Sequence, residues 1–156
     1  MSIVQAILVA LIPAILVAIV SAWVTVRLSL RQFRSQRWWE KKVEAYSGIM
    51  EHLADMELYF REMAANELGE KQLSSKYMDE IGKSFHEASK RLYKAAAIGA
   101  YVVSDDAAAA IRELVKKVDD WPHDRSFYDF FETNHSSVES CIAAVRHHAK
   151  ADLQQE

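Results

Sequence analysis

Glu132 and His135 form the residue pair whose spacing comes closest to a metal-binding pattern. A Glu-x-x-His pair occurs twice in di-iron helical bundles, where further glutamates on partner helices complete the site. Here the pair occurs once. A closed metal site needs more ligands than this pair provides. We therefore predict no metal and no other cofactor.

Nucleophilic chemistry has equally little support. Cys141 is the only cysteine and lies on an apolar helical stripe without an adjacent base, which is typical of a small core residue. His147 and His148 are neighbours in sequence, so on a helix they point in different directions. The sequence contains no phosphate-binding loop, GxSxG, HExxH or CxxC motif. We predict that the chain is not an enzyme and has no catalytic residues.

The densest group of aromatic and basic side chains consists of Arg37, Trp38, Trp39, Lys41 and Lys42. The two indoles could stack on a nucleotide base while the cations hold its phosphate. The same composition is more often an anchor at a membrane interface or a helix-packing site. Both interpretations stay open, so the group is a candidate ligand or interface cluster.

Residues 1–26 are predicted to form a transmembrane helix. The apolar run from Ile3 to Val26 has 24 residues. At about 1.5 Å per residue it is long enough for the roughly 30 Å hydrocarbon core of a bilayer. A cleaved signal peptide is the rival interpretation, but it would carry Lys or Arg before a shorter apolar run. Cations follow the run and none precedes it, which predicts an inner (plasma) membrane protein with its N-terminus outside and its C-terminal domain in the cytoplasm.

The residues that follow the span are predicted to contact membrane lipids. Trp23 falls near the cytoplasmic interface, where an indole is favoured. Arg27, Arg31 and Arg34 follow at i, i+4 and i+7, so they share one face of a helix. Such a face attracts anionic lipid by about 1 kcal/mol per cation.

The span itself contains a regular series of small residues. Its five alanines fall in a single i+4 register: Ala6, Ala10, Ala14, Ala18 and Ala22. Small residues at this spacing let two helices approach closely, so we predict a seam for self-association and a homo-oligomer. The alternative is that alanine is common in spans and the register is accidental. Pro13 is expected to bend the helix.

Beyond the span, charge divides the chain into two further segments. Residues 27–42 contain six cations and one acid, and residues 43–156 contain 13 cations and 21 acids. We predict a basic juxtamembrane stalk at 27–42 and an acidic cytoplasmic domain at 43–156. A nucleic-acid duplex is not a predicted partner, because binding one needs a positive footprint that an acidic body lacks.

The periodicity of the apolar residues predicts an all-α fold, in which the transmembrane helix continues into an antiparallel bundle of about four helices. The predicted helices run from the span to about Asn66, from Glu70 to Val103, from Ser104 to about Trp121, and from Asp124 or Ser126 to a polar tail. Trp39, Ile98 and Phe127 are among the residues expected to face inward. Ser104 is expected to cap the third helix.

The runs RWWEKKVEAY at 37–46 and AYVVSDDA at 100–107 give the chain a resemblance to a loose class of small bacterial single-span, membrane-anchored helical proteins. Some members of that class are membrane effectors in anti-phage defence. The resemblance implies a cytoplasmic sensor domain that controls membrane perturbation, with a cytoplasmic protein partner or small signalling ligand as its trigger. It transfers no binding residues. The alternative function is a passive anchor or adaptor that docks a cytoplasmic partner through the helical domain.

Overall fold

The computed structural model describes residues 3–98, 102–120 and 126–154, with side chains from Leu16 onward. The described residues form four helices: α1 (Ile3–Glu67), α2 (Ser75–Ile98), α3 (Asp105–Asp119) and α4 (Phe127–Gln154). The predicted all-α fold is confirmed. The chain divides into two compact units, Met1–Glu40 and Lys41–Glu156.

In the first unit, every described side chain from Leu16 to Glu40 is exposed. Many of these side chains are large and apolar, including Leu16, Val17, Ile19, Val20 and Trp23. Within the described residues, α1 is the one helix long and apolar enough to cross a membrane, a property that spans share with N-terminal signal sequences. Apolar surface of this extent needs a covering medium or partner.

The second unit is an antiparallel four-helix bundle. Asp152 near the end of α4 bonds Tyr46 in α1, whereas Phe130 at the start of α4 packs against Phe60 further along α1, so the two helices run in opposite directions. Phe85 of α2 packs against Phe60 as well. The fully buried core side chains come from all four helices: Leu53, Met56, Phe60, Leu92, Ile111, Val138 and Val145. Leu53, Met56 and Phe60 follow one another at three and four residues and Val138 and Val145 are seven residues apart, the spacing that an amphipathic bundle helix requires.

The turn after α1 explains why α2 starts later than predicted. Gly69 has φ of +72°, the left-handed conformation that closes many helices. The amides of Glu70 and Lys71 both bond back to the Ala65 carbonyl. Residues 68–74 are not helical, and Ser74 Oγ accepts a hydrogen bond from the Tyr77 amide at 3.2 Å, so α2 begins at Ser75 behind this cap and not at Glu70.

Side-chain caps fix the other helix starts. Ser104 accepts a hydrogen bond from the Ala107 amide, which confirms the predicted cap of α3. Ser126 accepts from the Asp129 amide at 3.1 Å, and α4 begins at the next residue. α2 is described as far as Ile98, and Val102 and Val103 are not helical, so the predicted end at Val103 is wrong. α3 ends at Asp119, and Trp121 and Pro122 lie outside the described residues.

Three residues that the periodicity assigned to the inward face are exposed: Trp39 by 43%, Ile98 by 63% and Phe127 by 72%. Ile98 is the last residue of α2 and Phe127 is the first of α4. A residue in a terminal turn has neighbouring helix on one side only, so the apolar stripe extends past the packed core. Trp39 belongs to the unit that ends at Glu40, before the buried stripe of α1 begins.

Candidate functional site

Among the described residues, the arginines of the first unit have no acidic partner. Arg27, Arg31, Arg34 and Arg37 are all exposed, and no described carboxylate lies within ion-pair distance of their guanidinium groups. Several cations of the bundle do have partners: Lys42–Asp152, Arg61–Glu57, Lys71–Glu62, Lys83–Asp79 and Lys117–Glu113. The positive charge of the first unit is therefore not neutralised within the described part of the chain.

Two of these arginines rest on aromatic rings of the same helix. The Arg27 guanidinium lies 5.1 Å from the centroid of the Trp23 ring, and that of Arg37 lies 4.9 Å from the Phe33 centroid. Both pairs have i, i+4 spacing, which brings side chains together on one helix face. A guanidinium held over a ring keeps its N–H groups free at its edge, where it can bind an anion.

The predicted cluster around Trp38 is not one uniform surface. Trp38 and Trp39 are exposed in the first unit, and Lys41 is exposed at the start of the second. The Lys42 ammonium lies 3.1 Å from Asp152 Oδ1, and its side chain is only 13% exposed. Lys42 therefore stabilises the bundle, an assignment that the sequence pattern did not suggest.

Lys42 belongs to a polar group that sequence reasoning missed, which we call the Tyr46 cluster: Lys42, Tyr46, Ser104 and Asp152. The Tyr46 hydroxyl donates to Asp152 Oδ2 at 3.0 Å and accepts from the Ser104 amide at 2.9 Å. Burial raises the pKa of Tyr46, the hydrogen bonds from Ser104 oppose the shift, and Asp152 adds to it. The cluster joins α1 to the cap of α3 and to the end of α4.

His135 does not pair with Glu132, which is exposed. Its Nε2 lies 3.9 Å from a Glu57 oxygen on α1, and its Nδ1 lies 4.0 Å from Glu139 on α4. The Nε2 atom is buried without a hydrogen-bond partner in the structure. Among the described residues, no group of three or more His, Cys, Asp or Glu side chains could hold a metal ion.

Cys141 and His148 are further residues whose side chains could take part in a reaction, and both lie in the helical bundle. Cys141 is buried between α3 and α4, and burial together with the nearby charge of Glu113 raises the pKa of its thiol to about 11. A neutral buried thiol is a poor nucleophile. His148 lies 3.9 Å from Asp106, across from the first turn of α3.

An open groove between α2 and α3 has the shape of a docking surface. Small apolar residues, Ala96 and Val115 among them, line the groove, and the exposed ring of Tyr93 stands beside them. Arg112 donates a hydrogen bond to the Ala96 carbonyl at 3.3 Å, which joins the two helices at this point. The groove also contains Lys116 and two acids, Asp119 and Asp120, so it offers apolar contacts beside charges of both signs.

The alanine register is only partly described. Ala18 and Ala22 are exposed on α1, so that part of the predicted seam is uncovered. Ala6, Ala10 and Ala14 lie within the helix, but their side chains are outside the described residues. Self-association through the seam stays a prediction.

No protein-family profile matches the chain, and no curated protein or solved structure matches it. The fold and the sites define an all-α protein with an apolar N-terminal helix and a four-helix bundle. The resemblance to small membrane-anchored defence proteins stays a prediction.

Proposed function

We propose that this chain is a homo-oligomeric inner-membrane effector or sensor, in which a cytoplasmic helical domain controls perturbation of the membrane. The observation that carries the proposal is the extent of α1, a single helix from Ile3 to Glu67. This helix supplies both the apolar N-terminal segment and the buried stripe of the bundle from Tyr46 to Ala64. A change in the bundle therefore has a route to the span, because a helix transmits rotation that a flexible linker would absorb.

The proposed topology places the N-terminus outside and the bundle in the cytoplasm. Its support is the unpaired positive charge that follows the apolar segment, since such charge is retained on the cytoplasmic side. The exposed apolar side chains from Leu16 to Leu30 support insertion in the membrane, because water would be an unfavourable medium for them. The spans would associate through the alanine register of Ala6, Ala10, Ala14, Ala18 and Ala22.

The resemblance suggests anti-phage defence as the setting. In that setting a cytoplasmic protein or a small signalling ligand would bind the bundle and favour one arrangement of the spans. The groove between α2 and α3, with Tyr93 and Arg112, is the candidate receiving surface.

The second candidate function is a passive anchor or adaptor. The exposed Tyr93 ring beside the same groove favours it, since exposed aromatic residues are common anchors of protein interfaces. In this case the groove would dock a cytoplasmic partner, and the span would only hold the complex at the membrane.

Expression of the full chain with its genomic neighbours separates the two functions, with growth and membrane potential as readouts. For an effector we expect slow growth or depolarisation, and relief of both by the pair Ala14→Leu and Ala18→Leu, because the larger side chains would separate the helices. The control pair Leu11→Ala and Ile15→Ala, one position off the register, should have a smaller effect. A wild type that stays harmless when triggered would contradict the effector and leave the adaptor.

A further inference from the structure

The first unit of the chain carries a two-part surface on one side of α1. A shallow depression along the helix is lined by Trp23, Val26, Arg27, Leu30, Arg31 and Arg34. At about 100° per residue, the three arginines fall within an arc of roughly 60°. Trp23, Val26 and Leu30 fall beside that arc, so an apolar strip runs next to a row of cations.

The spacing of the row suits a ligand with two anionic groups. Arg27 and Arg31 are separated by about 6 Å along the helix axis, and Arg34 follows about 4.5 Å further. Three guanidinium groups in a row form two neighbouring pairs. The two members of each pair can bind one phosphate between them. Guanidinium forks bind phosphate through paired hydrogen bonds, which an ammonium cannot reproduce.

The row of Arg27, Arg31 and Arg34 is available to bind an anionic ligand. No described carboxylate pairs with the three arginines, in contrast to the paired cations of the bundle. Trp23 supports the Arg27 guanidinium at 5.1 Å from its ring centroid, which limits the conformations that Arg27 must give up on binding.

We infer that Trp23, Arg27, Arg31 and Arg34 form a binding site for an anionic phospholipid whose headgroup carries two phosphate groups. The row of arginines binds the phosphates, and the strip of Trp23, Val26 and Leu30 contacts the acyl chains. A lipid fits better than nucleic acid or a soluble phosphate, because half of the surface is apolar and continues the exposed apolar residues of Leu16–Val26. The inference rests on the membrane insertion proposed above.

The test uses the full chain in nanodiscs of phosphatidylcholine, with equal small fractions of phosphatidylglycerol and diphosphatidylglycerol. Native mass spectrometry then counts the lipids that stay bound. We expect the wild type to retain diphosphatidylglycerol in preference to both other lipids. The pair Arg27→Gln and Arg31→Gln should weaken that retention roughly thirtyfold, the equivalent of about 1 kcal/mol for each lost cation.

Two further variants distinguish a specific lipid-binding site from general electrostatic attraction between the protein and anionic lipids. The pair Lys90→Gln and Lys94→Gln removes the same charge from exposed positions on α2 and should change retention much less. The triple variant Arg27→Lys, Arg31→Lys and Arg34→Lys keeps the charge but should lose the preference for two phosphates over one. Equal losses in the two Gln pairs, or an unchanged preference in the triple Lys variant, would overturn the site.

Other outcomes identify a wrong ligand or a wrong location. Displacement of the bound lipid by inorganic pyrophosphate or by a single-stranded oligonucleotide, at concentrations comparable to the lipid, would overturn the lipid assignment. Release of the wild type from vesicles by an alkaline wash would overturn membrane insertion and this site together. An inserted protein without lipid preference would overturn the site alone.

Discussion

At the scale of single residues, the Tyr46 hydroxyl makes the most connections in the described bundle. It donates to Asp152 and accepts from the Ser104 amide, so its removal leaves a half-buried carboxylate and an amide without that partner. We expect Tyr46→Phe to lower the free energy of unfolding by about 1–3 kcal/mol. Urea unfolding of the bundle unit measures the change. Tyr93→Phe is the control, since its ring is 65% exposed and it should change stability by under about 0.5 kcal/mol.

A double-mutant cycle attributes that loss to the cluster itself. Tyr46→Phe and Asp152→Ala should be coupled by about 0.5–3 kcal/mol, because each change removes the same hydrogen bond. Strict additivity of the two changes would contradict the contact.

Cys141 gives a residue-scale test of burial and pKa together. A thiol pKa of about 11, in place of 9.0, keeps the sulfur neutral at mildly alkaline pH. The thiolate fraction then falls about a hundredfold, and burial slows access further. We expect iodoacetamide to modify Cys141 at least that much more slowly in the native protein than in denaturant. Equal rates in the two conditions would place the thiol at the surface.

At the scale of elements, alanine substitutions at two glycines test the turn between α1 and α2. The backbone conformation of Gly69 disfavours a side chain, whereas that of Gly82 does not. Gly69 has a positive φ that side chains rarely adopt, so Gly69→Ala should destabilise the bundle by about 1 kcal/mol. Gly82 lies inside α2, and a Cβ there would meet nothing within 4 Å, so Gly82→Ala should stabilise the bundle by about 0.5–1 kcal/mol. Thermal unfolding of both variants measures the signs. The same sign for both would contradict the assigned turn.

The sequence predicts these elements well where one local rule decides them. Gly69 and Ser104 mark a helix end and a helix start because φ and capping are properties of one or two residues. Periodicity also finds most of the core, but it assigns Ile98 and Phe127 inward because it cannot tell where neighbouring helices end. The predicted start of α2 at Glu70 was wrong because the turn after α1 continues past Gly69, and the side-chain cap of α2 is at Ser74.

The candidate sites likewise fall into those that the sequence shows and those that only the tertiary fold brings together. The basic row of Arg27, Arg31 and Arg34 is visible in the sequence, because its spacing lies within one helix. The Tyr46 cluster was missed because Lys42 and Asp152 are 110 positions apart, and only the tertiary fold brings them together. The i, i+3 spacing of Glu132 and His135 does not pair the two side chains, since His135 lies nearer to Glu57 and Glu139.

At the scale of the whole molecule, the bundle unit should be independent of the apolar segment. Residues 41–156 keep the Lys42–Asp152 ion pair and the entire buried core. We expect this fragment to stay in solution and to give a helix-dominated circular dichroism spectrum with cooperative unfolding. Residues 44–156, which lack Lys42, should be less stable. A spectrum with substantial strand signal would contradict the bundle.

The central claim for the whole chain is that α1 transmits the state of the bundle to the span. Alanine insertions between Glu40 and Lys41 test it, because each residue rotates a helix by about 100°. Seven alanines restore the helical phase to within about 20°, whereas five shift it by about 140°. Membrane potential is measured in cells that express each variant together with its genomic neighbours, under the conditions that trigger the wild type. We expect depolarisation by the wild type and by the seven-residue insertion, and no depolarisation by the five-residue insertion. Equal depolarisation by both insertions, or by a flexible Gly-Ser insertion of the same length, would contradict transmission through α1.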